Sequence, residues 1–113
     1  MKWIELKAPE QVQELTKAST EKKVLIFKHS FRCNISRTSL DRLERHWNDS
    51  EMNDVQTYFL DLITYREISN QLATQFQVQH ESPQVLLISN GRSILDLSHF
   101  EIDYTQIRTA AKN

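Results

Sequence analysis

The residue on which redox chemistry could turn is Cys33, the only cysteine of the chain. It sits in the polar stretch Ser30-Phe31-Arg32-Cys33-Asn34-Ile35-Ser36-Arg37, just after the apolar run Val24-Leu25-Ile26-Phe27. A lone cysteine serves either as a small buried hydrophobe or as a reactive thiol, and the polar neighbours favour the second role. A strand ends and a helix begins at this point, so the thiol meets the free amides and positive dipole end of a helix, which stabilise a thiolate over a thiol. Lys28, His29 and Arg32 precede it and add positive potential wherever their side chains turn inward. Such surroundings move a thiol from its free value of ~8.5 towards the ~3.5 to 7.5 range of reactive cysteines. Ser36, three residues on, can donate a hydrogen bond to the Cys33 thiolate or act only as a local backbone partner in the first helical turn.

Other chemistries find no support. One cysteine can form neither an internal disulfide nor a multi-cysteine zinc site. His29, His46, His80 and His99 lack the paired spacing that puts two imidazoles on one helix face, and no carboxylate cluster accompanies them, so no metal site is expected. Surface or capping roles suit His46 and His99, while His29 either tunes Cys33 or points to the opposite face of its strand. With a single glycine the chain cannot build a phosphate-binding loop or the strained elbow of a serine hydrolase. Its 14 Lys plus Arg against 15 Asp plus Glu give a formal net charge of -1, without the positive excess that drives nucleic-acid binding. No apolar run approaches the ~20 residues of a membrane span, and the N-terminus does not read as a secretion signal. A cytoplasmic protein with a reduced thiol is expected. At 113 residues, with no repeat, linker or shift in composition, the chain is expected to form one domain over 1–113.

The elements that must position Cys33 follow from periodicity. Residues 3 to 6 suit a short edge strand, and Pro9 opens a helix carrying Val12, Leu15 and Ala18. Residues 23 to 29 form a continuous apolar run with charged ends, the pattern of a central strand covered on both faces. From Cys33 to about Asp49, Leu40, Leu43 and Trp47 recur at helical spacing, with Arg37, Asp41, Glu44 and Arg45 on the solvated face. Val55 to Ile63 is rich in strand formers. Thr64 and Glu67 predict a capping box for a helix bearing Ile68, Leu72 and Phe76. Gln84 to Ser89 and Arg92 to Leu97 flank Asn90-Gly91, the signature of a two-residue hairpin. Asp103, with Gln106 three residues on, caps a last helix carrying Ile107, Ala110 and Ala111. The order β-α-β-α-β-α-β-β-α predicts an α/β fold with a mixed central sheet and helices on both faces. At this length that succession is the thioredoxin-like arrangement.

In that arrangement the nucleophile lies at the end of the second strand and the start of the second helix, where Cys33 falls. Ser36 occupies the position of a dithiol enzyme's resolving cysteine. A Cys-x-x-Ser site forms a mixed disulfide but needs an external thiol to resolve it, which implies a monothiol mechanism. The segment Lys28-His29-Ser30-Phe31-Arg32-Cys33-Asn34-Ile35-Ser36 resembles the Lys-His-Ser-x-x-Cys-Pro-Ile-Ser segment of the YtxJ-like proteins, the monothiol bacilliredoxins of low-GC Gram-positive bacteria. His80-Glu81-Ser82-Pro83-Gln84 is similar to the family's second signature, before the fourth strand. The resemblance spans essentially the whole chain. It implies an oxidoreductase that removes bacillithiol from S-bacillithiolated proteins, with no tightly bound cofactor, bacillithiol as thiol co-substrate, and client proteins and a low-molecular-weight thiol as partners.

On this reading Cys33 and Ser36 are the candidate catalytic residues, and Arg32, Asn34, Ser82 and Pro83 the candidate substrate-binding residues. Asn34 departs from the family's proline and restores an amide that either helps the thiolate or loosens the turn. Residue-level statistics favour a trans bond before Pro83, whereas the resemblance implies a cis bond beside the cysteine, leaving the Ser82 backbone free to pair with an extended peptide or the peptide-like part of a thiol. Two other roles stay open: a non-catalytic interaction protein whose thiol is only modified under oxidative stress, and a peroxide sensor needing a thiol from another chain.

Overall fold

A computed structural model describes residues 1–113. Five strands, β1 (Ile4–Glu5), β2 (Val24–His29), β3 (Gln56–Asp61), β4 (Gln84–Ser89) and β5 (Arg92–Ser98), alternate with helices α1 (Glu10–Ala18), α2 (Asn34–His46), α3 (Arg66–Phe76) and α4 (Tyr104–Lys112). The element order matches the one expected from sequence, with a single 3-10 turn, His99–Glu101, added before α4. The sheet order is β1-β3-β2-β4-β5. β2 runs parallel to β3 and antiparallel to β4, and β5 closes the hairpin with β4. Every residue of β2 is buried, as its unbroken apolar run requires of a strand covered on both faces.

Strand parity then divides the core. Val24 and Ile26 face α1 and α3, packing with Val12, Leu15, Ile68, Leu72 and Phe76. Leu25 and Phe27 face the other way, towards Leu43 of α2 and Ile107 and Ala111 of α4. The same alternation sends Lys28 and His29, the last residues of β2, to opposite faces.

Local signals explain most boundaries. Pro9 stands at the N-cap of α1 with φ -58. Asp103 caps α4, its Oδ2 accepting the Gln106 N–H at 3.2 Å. Two expectations need correction. Thr64 does not cap α3: its hydroxyl donates to Asp61 Oδ2 at 2.7 Å, and Tyr65 takes the N-cap position without a side-chain bond. The carboxylate at the end of β3 captures the threonine before the helix can use it. α2 stops at His46, short of Asp49, because Asn48 Oδ1 accepts the Ser50 and Glu51 N–H groups and turns the chain away.

The hairpin turn has Asn90 at φ 52 and Gly91 at φ 76, the left-handed pair of a type I′ turn. Ser19, at the end of α1, holds it from below, its carbonyl and hydroxyl accepting the Asn90 and Gly91 N–H groups at 2.8 and 2.9 Å. A Cβ on Gly91 would meet only Thr16 Cγ2, at an ordinary 3.8 Å. Gly91→Ala is therefore expected to cost only the left-handed backbone penalty, about 1 kcal/mol, read as a lower midpoint in urea denaturation.

Candidate active site

The parallel strands β2 and β3 end together, with His29 paired to Asp61, and β4 begins beside them, with Gln84 paired to Lys28. Three chain ends thus meet at the carboxyl edge of the parallel pair, where open α/β sheets place their sites. From β2 the chain makes one turn, closed by the Cys33 N–H donating to Ser30 O at 3.1 Å, and enters α2. Cys33 is the N-cap residue of α2, with extended backbone and a free, half-buried thiol. Its carbonyl accepts the first helical bond, from Arg37 N–H at 3.2 Å. The amides of Asn34, Ile35 and Ser36 have no partner within the helix, so the thiol stands at the positive end of the α2 dipole. Arg32 and Asn34 flank the thiol and are exposed. Asn34 Oδ1 accepts a bond from Arg37 Nη2, so the residue in the place of the family's proline tightens the first turn through its side chain.

Ser36 is fully buried and faces away from the role of direct thiol partner. Its Oγ accepts the Ser30 N–H at 3.1 Å and lies 2.7 Å from His29 Nδ1. The Ser36–His29 bond joins the first turn of α2 directly to the last residue of β2. Burial pushes the His29 pKa below its ordinary value, with Asp61 and Glu44 opposing and Arg37 assisting, which keeps the ring neutral at neutral pH. The Ser36 hydrogen bond to Cys33 allowed by spacing alone is thus not made; Ser36 bolts the start of α2 to the end of β2.

On the other face Lys28 is buried without a carboxylate partner. Its Nζ donates to Gln84 Oε1 at 2.9 Å and to His80 Nδ1 at 2.7 Å, and His80 Nδ1 lies 3.3 Å from Ser69 Oγ of α3. Gln84 Nε2 in turn donates to Gln79 O at 3.0 Å. One amine therefore organises residues 79 to 84, the loop that carries Ser82 and Pro83. The Ser82–Pro83 bond is cis. Pro83 is buried and Ser82 half-buried. The Pro83 carbonyl accepts the His99 N–H at 3.0 Å, and Ser39 of α2 donates to His99 O at 3.0 Å, so the loop is also braced against α2.

Burial pushes the Lys28 pKa down to about 8, partly offset by Glu81. His80 is lowered as well, first by burial and then by Lys28 and Arg66, so it accepts from the ammonium as a neutral ring. Between pH 8 and the ordinary lysine value of 10.5 the unfolded chain holds a proton at Lys28 that the folded protein has lost. Stability therefore rises with pH across that window, and the buried charge is costly below it. Lys28→Met is expected to lack this rise. From about pH 7.5 to about pH 9.5 the wild type should gain about 2 kcal/mol relative to the variant in urea denaturation; parallel pH profiles would contradict the assignment.

A family model described as Monothiol bacilliredoxin BrxC matches residues 4–107. The chain belongs to the monothiol bacilliredoxin family. A solved structure provisionally described as an oxidoreductase with a thioredoxin fold is 28% identical, with a TM-score of 0.80 over 95% of this chain and 91% of that one. Thioredoxins of Malassezia sympodialis and Trypanosoma brucei brucei are 16% and 12% identical, with TM-scores of 0.72 and 0.71, covering 98% of this chain and 89% and 88% of theirs. At those identities the likeness establishes the thioredoxin fold alone. The bacilliredoxin family and the fold together support thiol-oxidoreductase chemistry with a thiol co-substrate and protein-thiol substrates. No helix is long and apolar enough to cross a membrane.

Within this bacilliredoxin frame, sequence placed Cys33 at the strand-to-helix junction and Ser82–Pro83 at the start of β4, and both stand there. It missed that the two signature segments are joined: Lys28 of the first binds His80 and Gln84 of the second. The positive potential assigned to Lys28 near the thiol is corrected by strand parity, which points the amine to the α3 face. A signal was available in the run itself, since a lysine inside a fully buried strand must find buried acceptors, and the polar side chains of the second segment supply them.

Proposed function

We propose that the protein removes bacillithiol from S-bacillithiolated proteins. The Cys33 thiolate attacks the bacillithiol sulfur of the client's mixed disulfide. A bond forms between Cys33 and bacillithiol, the client sulfur–sulfur bond breaks, and the client leaves as a thiolate that takes a proton from solvent. The thiolate of a second low-molecular-weight thiol, or of a reductase, then attacks the bacillithiol sulfur of the adduct; the Cys33–bacillithiol bond breaks, bacillithiol leaves as a disulfide with the attacking thiol, and Cys33 returns as a thiolate. The observation that carries this reading is the placement of the sole cysteine at the N-cap of α2, half-buried, with Ser36 where an internal resolving thiol would stand. The free first-turn amides support the thiolate, Arg32 and Asn34 flank the incoming disulfide, and the Ser82–Pro83 loop receives the extended part of the substrate. A protein of one domain acting in the reducing cytoplasm fits this chemistry.

The test is a purified client carrying one bacillithiol mixed disulfide, mixed with sub-stoichiometric protein and excess bacillithiol. Catalytic release of the client thiol is expected. Release no faster than with bacillithiol alone would leave a non-catalytic protein with a modifiable thiol as the better description.

A further inference from the structure

The chain enters and leaves the cis Ser82–Pro83 bond through residues that converge on one buried amine. Lys28 is 0% exposed, and its Nζ donates to Gln84 Oε1 at 2.9 Å after that bond and to His80 Nδ1 at 2.7 Å before it. Gln84 completes the closure: its Nε2 donates to Gln79 O at 3.0 Å, and its Oε1 accepts the Glu81 N–H at 3.5 Å. The turn is thus shut at its base by side-chain bonds, and the ammonium of β2 stands at their centre. Burying an ammonium is costly even when it is bonded, and an apolar side chain of similar volume often packs as stably. Burial alone therefore gives no reason for a lysine at this place. What the amine supplies is direction, with one fixed acceptor on each side of the Ser82–Pro83 bond.

The thiol is held by a different set of bonds. Lys28 and His29 leave β2 on opposite faces. The turn bearing Cys33 is closed by Cys33 N–H on Ser30 O and by Ser30 N–H on Ser36 Oγ, both at 3.1 Å. Neither bond includes Lys28 or its partners. We propose that Lys28 is a positioning residue for polypeptide substrates: it holds the Ser82–Pro83 backbone in the shape against which an extended peptide disulfide docks, and leaves the reactivity of Cys33 to other groups. The inference rests on the Ser82–Pro83 loop receiving the substrate, as proposed above, and not on bacillithiol being the group transferred. An extended chain laid against a fixed backbone gains main-chain hydrogen bonds that a small disulfide lacks. A loop released from its pin must be ordered again at each encounter, which opposes binding.

The test compares two disulfides on the intact protein at neutral pH. One is a short extended peptide whose single cysteine carries thionitrobenzoate; the other is the symmetric thionitrobenzoate disulfide, which has no peptide. In each, the Cys33 thiolate bonds to one sulfur, the disulfide breaks, and thionitrobenzoate leaves as a coloured thiolate. The readout is the ratio of second-order rate constants, peptide over symmetric disulfide. In Lys28→Met this ratio should fall about 3- to 10-fold, the worth of one docking hydrogen bond, while the symmetric disulfide reacts within about twofold of the wild-type rate. The double variant Lys28→Met/Gln84→Met removes donor and acceptor together, which restores stability without restoring the pin, and Ser69 Oγ still meets His80 Nδ1. It should keep the low ratio at a urea midpoint closer to that of the wild type. A purely structural role predicts that the ratio recovers with stability. Recovery in the double variant, or an unchanged ratio in folded Lys28→Met, overturns the proposal. A parallel fall for both probes overturns it as well, because Lys28 would then act on Cys33 itself. Neither probe carries bacillithiol, so failure of bacillithiol transfer leaves this comparison standing, and failure here leaves transfer untouched.

Discussion

Cys33→Ser is expected to reduce bacillithiol transfer by about three orders of magnitude or more, to the level of the uncatalysed exchange. A hydroxyl fills nearly the same space, but it cannot form a disulfide, and the chain has no second thiol to take over. The substitution should leave the fold alone. The thiol is half-buried and caps no amide, so removing it breaks no hydrogen bond on which α2 depends, and a stability change within about 0.5 kcal/mol is expected. Measuring client-thiol release beside urea denaturation separates the two effects. Transfer surviving in a folded Cys33→Ser protein would remove the nucleophile from the account.

Phe27→Ala should have the largest effect on stability, about 3 to 5 kcal/mol of destabilisation. Phe27 is fully buried in the middle strand. Its ring stacks on Phe59 at 6.4 Å with 7° between planes, meets Trp3 edge-on at 6.1 Å, and lies 6.1 Å from His29. Deleting it opens a cavity between the sheet and the layer of α2 and α4, beneath the end of β2 that carries the site. Against the 5 to 15 kcal/mol that typically separates folded from unfolded states, this loss would bring the protein close to its threshold. Activity should follow the folded fraction as urea is added, with the midpoint well below that of the wild type. A shift under about 1 kcal/mol would mean the aromatic stack is not the support described.

The fold was legible wherever the signal was local or periodic. The run Val24–Phe27 suited a strand covered on both faces, Asn90-Gly91 carries its own backbone geometry, and Asp103 finds its amide three residues away. Thr64 failed as a cap because a local pattern competes with any stronger acceptor nearby, and Asp61 is one. The site was legible at Cys33, whose neighbours are chain neighbours. Lys28, His29 and Ser36 were harder. Alternation states that Lys28 and His29 diverge, but the partners that meet them, His80 and Ser36, are chosen by how α2, α3 and the loop before β4 pack against β2. The cis bond at Ser82–Pro83 came from family resemblance, since residue statistics alone point the other way.

The most direct test of the central claim is the intact mass of the wild-type protein after brief incubation with an S-bacillithiolated client in the absence of free thiol. The account predicts a gain of one bacillithiol, mapped by peptide analysis to Cys33, in step with release of one equivalent of client thiol. Client thiol released while the Cys33 peptide keeps its unmodified mass would contradict it, as would a client that stays bacillithiolated beside an unmodified protein.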